Sequence, residues 1–177
     1  MTVRADPAPG GSGTGVGGAR GAGAALALCV FVAALVPRMA AGGGFVTADE
    51  VRWTCRAIHF RAALESRQWA ATYQTGHPGV TAMWLAAAAP GFAQRHELAA
   101  PCALGPSEIA ETGPWPVRES LQQLLRGARQ RTAVAHAVLL TLVFVLAVPL
   151  FGAGAAALGT LLLAFEPFLV GLSRVLH

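Results

Sequence analysis

Polar and apolar positions in this chain are segregated into long blocks and do not recur at core spacing. Met1 to about Ala19 is rich in Gly, Pro, Ser and Ala, with Arg4 and Asp6 as its charges. It has little to bury and reads as a disordered tail over 1–19. An apolar block runs from Gly21 to Pro37 and continues through Ala40-Ala41 if Arg38 snorkels to an interface. That reaches the lower end of the roughly 17–25 residues a span needs, which predicts a transmembrane helix over 20–41. A cleaved signal peptide with Arg4 and Arg20 as its basic region competes. A cut after Ala41 would put Met39 at the minus-three position and Arg38 awkwardly close, so an uncleaved anchor is the better reading.

Gly42-Gly43-Gly44 breaks the helix, and from Thr47 the pattern turns amphipathic. Trp53, Ala57, Phe60 and Leu64 share one face; Arg52, Arg56 and His59 share another. This predicts an external loop over 42–76 carrying an amphipathic helix that ends near Trp69 and suits the headgroup plane. A short Ala-rich segment over 77–93 is a dipping or spanning helix. A Pro-rich polar loop over 94–131 ends in a second amphipathic stretch, with Val117, Leu121, Leu124 and Leu125 on one face. From Thr132 to Leu172 the sequence is almost wholly apolar, interrupted by Gly152 and Gly154 near its middle. Two spans of about 20 residues fit there, giving a transmembrane hairpin over 132–177. The fold class expected is all-α and integral to the membrane: an N-terminal transmembrane helix, an external amphipathic helix, a short dipping or spanning helix and a C-terminal hairpin.

Composition agrees. Apolar residues make up 54% and charged residues 12%, about half the charge of an ordinary soluble domain. The formal charge of +4 comes from arginines, with no lysine. Most of them flank apolar blocks, and the aromatics do not interleave with them, which argues against a nucleic-acid partner. Cys29 lies in the first apolar block and reads as a small buried hydrophobe. Cys55 and Cys102 can pair only if both face an oxidising compartment, which spacing does not decide.

Several residues could carry chemistry. Asp49-Glu50, just beyond the first span, could act as general base on a hydroxyl or hold a divalent metal. Thr47-x-x-Glu50 is equally a capping box, with Asp49 placed to suit the helix dipole. His77-Pro78-Gly79 reads as helix-start chemistry. Glu166, in the last apolar stretch, should face a bundle interior or a wet cavity, unless Pro167 lets water reach it near the span's end. Arg174 and His177 read as interfacial anchors.

Together these motifs resemble a family. Phe45-x-x-x-Asp49-Glu50, then Trp69-Ala70-x-Thr72-Tyr73-x-x-x-His77-Pro78-Gly79-Val80-Thr81-x-Met83-Trp84-Leu85, resembles the start of bacterial glycosyltransferases of the protein O-mannosyltransferase type, family 39 of the multi-span GT-C class. Glu166-Pro167-Phe168-Leu169-x-x-x-Ser173-Arg174-x-Leu176-His177 resembles that family's Asp-Pro-Phe and Ser-Arg-Leu-Leu-His segment, with Glu in place of Asp. The resemblance implies a polyprenyl-phosphate-linked sugar as donor and an acceptor outside the cytoplasm. It implies Asp49, with Glu50 beside it, as the group assisting attack on the anomeric carbon. Arg174 would hold the lipid phosphate, His77 would line the site, and Glu166 and His177 fall in the substrate-binding motif. Any metal is left undefined. The family has further spans, so the chain reads as the N-terminal portion of a longer multi-pass plasma-membrane enzyme and is expected to be inactive alone. A small membrane scaffold, or part of a transporter with Glu166 as coupling carboxylate, remains open on the residues themselves.

Topology is in tension at this point. Arg126, Arg129 and Arg131 before the hairpin favour a cytoplasmic side, and Arg174 joins Asp49 outside only if both hairpin ends lie there.

Overall fold

The computed structural model describes residues 15–40, 46–74, 79–89, 102 and 115–176. Among these the chain is helical, with no strand. The elements are α1 (Gly15–Met39), α2 (Ala48–Glu65), a 3-10 turn (Trp69–Thr72), α3 (Val80–Ala87), α4 (Trp115–Ala164) and α5 (Pro167–Leu172). Two helical stretches, Gly21–Met39 and Glu119–Ala164, are long and apolar enough to cross a membrane.

α4 is not one rod. Gly152 has φ 79° and ψ 158°, a region essentially restricted to glycine, and the helix axis reverses there. Side chains record the reversal. Phe144 and Ala156 share one cluster with Val30, while Ala137 and Ala164 share another with Ala34. In a straight helix Ala137 and Ala164 would stand about 40 Å apart, at 1.5 Å per residue. α1 thus runs antiparallel to the first arm (115–151) and parallel to the second (153–164). Alanines at the seam let the backbones approach closely, as in helix pairs that lack a hydrophobic driving force between them. The hydroxyls of Thr132, Thr141 and Thr160 donate to the carbonyls four residues back, so they need no partner across the bundle. The outward faces carry exposed Leu28, Leu146, Leu150, Leu158 and Leu162, an apolar surface far larger than isolated exposed leucines would make.

A second core sits beyond the end of the three-helix bundle. Trp53, Phe60, Met83, Leu121, Leu124, Leu125 and Leu176 bury together, joining α2, α3, the start of α4 and the chain after α5. Phe60 and Trp84 meet edge to face at 5.0 Å. A disulfide between Cys55 and Cys102 fastens residue 102 to α2. Gly79 lies against the Trp53 indole so tightly that a Cβ would overlap the ring, which is a steric demand for glycine before α3.

Several expectations change. The apolar face of α2 is spent on α3 and α4 and not on a headgroup layer. α2 stops at Glu65, where Ser66 caps it and Arg67 takes a left-handed φ of 56°; the turn at Trp69 is a separate element. α3 has eight residues, about 12 Å of helix, against about 30 Å of hydrocarbon. It packs in the second core and by itself is too short to cross. The stretch 117–131 and the first hairpin arm form one unbroken helix, since no capping or breaking residue separates them. Cys29 is exposed, because Val30 and Ala34 occupy the inward stripe of α1. Arg38 does not snorkel. It is 4% exposed, and its Nη1 donates to the carbonyls of Ala34 and Ala164 at 2.7 and 3.0 Å.

Candidate functional site

The second core is organised around Glu50. Thr47 caps α2 in extended conformation, its hydroxyl accepting from the Glu50 amide at 3.2 Å. The Glu50 carboxylate accepts from the Thr47 amide in return, at 3.0 Å, completing the capping box. Its two oxygens take more than that. Arg129 Nε donates to Oε1 and Arg129 Nη2 to Oε2, each at 2.7 Å. The Leu176 amide donates to Oε1 at 3.1 Å. A carboxylate offers about four lone-pair sites, and here all are engaged. Glu50 is fully buried and the Arg129 side chain nearly so. Burial alone would raise the Glu50 pKa. The hydrogen bonds from Arg129, Thr47 and Leu176, together with the Arg129 charge, outweigh burial and hold it below the ordinary glutamate value.

The acidic pair therefore divides. Glu50 has no lone pair left unengaged, so in this structure its carboxylate ties together the start of α2, Arg129 and the Leu176 amide. Asp49, one position earlier, points away. Its side chain is 64% exposed and, among the described residues, meets Arg52 at 3.2 Å. A single exposed carboxylate beside a guanidinium is a poor divalent-metal site, because hard cations need several oxygens. Among the described residues, no group of three or more His, Cys, Asp or Glu side chains assembles.

The C-terminal motif arrives at the same junction. Ser173 is buried, Arg174 half-buried, and the Leu176 amide rests on Glu50. Arg129, at the start of the hairpin, and Leu176, after its return, touch one carboxylate, so both hairpin ends meet beside the start of α2. Glu166 is half-buried and caps α5, accepting from the Leu169 amide at 2.6 Å, with Pro167 in the first turn. That is ordinary cap-and-proline chemistry. His77 and His177 lie outside the described residues.

The remaining motif residues gather elsewhere. Trp69, Thr72, Tyr73, Val80, Met83 and Trp84 line an open groove of about 350 Å³, with Phe60 at its base. Phe60 is about three turns along α2 from Asp49, so acidic pair and aromatic groove occupy opposite ends of that helix. Sequence reasoning missed Arg129 as a partner. Three arginines precede the hairpin with similar surroundings, and nothing in the spacing singles out the one that reaches back 79 positions. Compared with known proteins, the chain matches no family model, no curated protein and no solved structure.

Proposed function

We propose that this chain supplies the acceptor-activating and phosphate-holding loops of a membrane glycosyltransferase that uses a polyprenyl-phosphate sugar. One observation carries the reading. The two motifs that resemble the family, Asp49-Glu50 and Ser173-Arg174-x-Leu176, lie 126 positions apart and are joined through the Glu50–Leu176 hydrogen bond. A base and a phosphate clamp must face one reaction centre, and this contact puts both motifs in one neighbourhood. Asp49, exposed and unburdened, is the general base; Arg174 is the phosphate clamp.

The bundle is read as three membrane crossings: α1, the first arm of α4, and the second arm continued through α5 (153–172), since the second arm alone, at about 18 Å, is too short. From the turn at Gly152 to Arg131 the first arm rises about 32 Å, close to the roughly 30 Å of hydrocarbon. The second core then lies outside, in an oxidising compartment, because the Cys55–Cys102 bridge requires one. The arginines before the hairpin lie close to a span's end and oppose this, but they belong to the segment 40–131, longer than the roughly 60 residues beyond which segments translocate largely regardless of charge.

The test is Asp49→Asn in membranes holding the full gene product, with sugar transfer from a polyprenyl-phosphate donor as readout. Loss of a general base lowers transfer by about 10²–10⁴-fold, with the Cys55–Cys102 bridge still formed. Undiminished transfer removes Asp49 from the mechanism.

A further inference from the structure

We propose that Arg38, Arg126 and Arg129 form a site for the phosphate of an anionic membrane lipid, at the level where the bundle meets the second core. This rests on the bundle lying in a membrane and not on sugar transfer. The three guanidiniums, with Met39 and Gln130, line a pocket of about 100 Å³. That is well under the roughly 300 Å³ where pockets for drug-sized molecules begin, and it suits a tetrahedral oxyanion better than a sugar ring.

The charge is uncompensated. Arg129 is answered by Glu50. Arg38 and Arg126 have no carboxylate partner among the described residues. Arg38 is the telling member. Buried to 4% exposure, it spends Nη1 on two helix carbonyls, while its Nε is buried with no hydrogen-bond partner. A buried guanidinium N–H left unmade is costly, and an oxyanion among the arginines would offset the charge that this buried group carries. Arg126 is exposed on the pocket's rim, where it can close over such a group.

The surroundings select a lipid. On the bundle side of the pocket, Val36 and Met39 of α1 and Val134 and Val138 of the first arm are exposed. A phosphate seated among the arginines would lay its hydrocarbon along that apolar surface, as one amphipathic molecule. Free phosphate would leave those side chains without an occupant.

The experiment is native mass spectrometry of the whole chain from detergent, titrated separately with phosphatidylglycerol, phosphatidylcholine and inorganic phosphate. Phosphatidylglycerol should bind at least tenfold more tightly than phosphatidylcholine. Arg126→Gln, on an exposed side chain that folding does not need, should weaken it about tenfold, the worth of one charge-assisted hydrogen bond. Arg61→Gln, on the exposed face of α2 with Glu65 as its partner, removes the same charge and should change nothing. Arg38→Gln should abolish the preference wherever the variant folds. Equal weakening by Arg126→Gln and Arg61→Gln would reduce the effect to net charge and overturn the site. Inorganic phosphate binding as tightly as phosphatidylglycerol would overturn the lipid.

Discussion

Glu50→Gln changes one atom and should unfold much of the second core. The wild-type carboxylate accepts from Arg129 twice, from the Thr47 amide and from the Leu176 amide. A glutamine keeps the volume but turns one oxygen into a donor, which must then face donors. It also removes the negative charge facing the Arg129 side chain, which is 11% exposed. Removing one partner of a buried pair costs about 3–5 kcal/mol, whereas replacing both with apolar groups of similar volume is often neutral. The double variant Glu50→Leu/Arg129→Met should therefore recover part of that loss, short of the capping box, worth about 1 kcal/mol, and of the buried Leu176 amide left without its acceptor, about 1–3 kcal/mol. Unfolding by denaturing-detergent titration, followed by fluorescence of the buried Trp53, measures all three proteins. A Glu50→Gln loss under 1 kcal/mol, or a double variant as unstable as the single one, would show that Glu50 and Arg129 do not depend on each other and would refute the junction.

Three further outcomes follow from the same structure. Glu50 has a lowered pKa in the folded state, so its stabilisation is complete above the ordinary glutamate value of about 4.3 and is lost as pH falls through the lower folded value. Wild-type stability should decline there while Glu50→Gln stays flat across the same interval, in parallel acid titrations of unfolding. Gly152→Ala forces a side chain into a glycine-only conformation and should cost about 1–3 kcal/mol, with cysteine cross-linking between 137 and 164 reporting whether the arms still pair. Cys55→Ser opens a loop with a sequence separation of 47 and should cost about 4 kcal/mol on the chain-entropy account; peptide mapping without reductant checks that the bridge is present first.

What was legible in the sequence follows a physical boundary. The helix start at Thr47, the reversal at Gly152 and the inward stripe Trp53, Ala57, Phe60 were readable because each depends on residues within a few positions of one another. Caps, left-handed turns and helical faces are local devices. The span-like blocks were readable because apolar length is itself the signal. The role of Glu50 was half legible: spacing showed the bond to Thr47 and could not show those to Arg129 and Leu176. The sequence reading also let Asp49 and Glu50 act as a unit, although successive helix positions diverge by 100°, so one can be fully buried while its neighbour faces water. Arg38 failed for a related reason. Snorkelling is the default for an arginine at a span's end, but a second helix terminates beside it and offers the Ala164 carbonyl, a better partner than the interface.

Why a carboxylate stands at this junction is a question of valence. Three chain segments converge there, each bringing N–H donors: the start of α2, the first arm of α4 and the stretch after α5. A neutral amide could accept from two or three of these and would oppose the rest; only an ionised carboxylate accepts from all and cancels the guanidinium. The consequence reaches Asp49. Its Cα sits on the first turn of a helix whose N-terminus is pinned to both ends of the hairpin, so the spans fix where the exposed carboxylate stands. In a loop bound only by its own capping box, Asp49 would be free to drift with the α2 terminus. On the glycosyltransferase reading proposed above, a base that must meet a hydroxyl within about 3 Å gains from that restraint. Loss of sugar transfer in Glu50→Gln would then come through Asp49's position, and should be restored in the apolar double variant if α2 returns to its place. A direct chemical role for Glu50 predicts no such rescue.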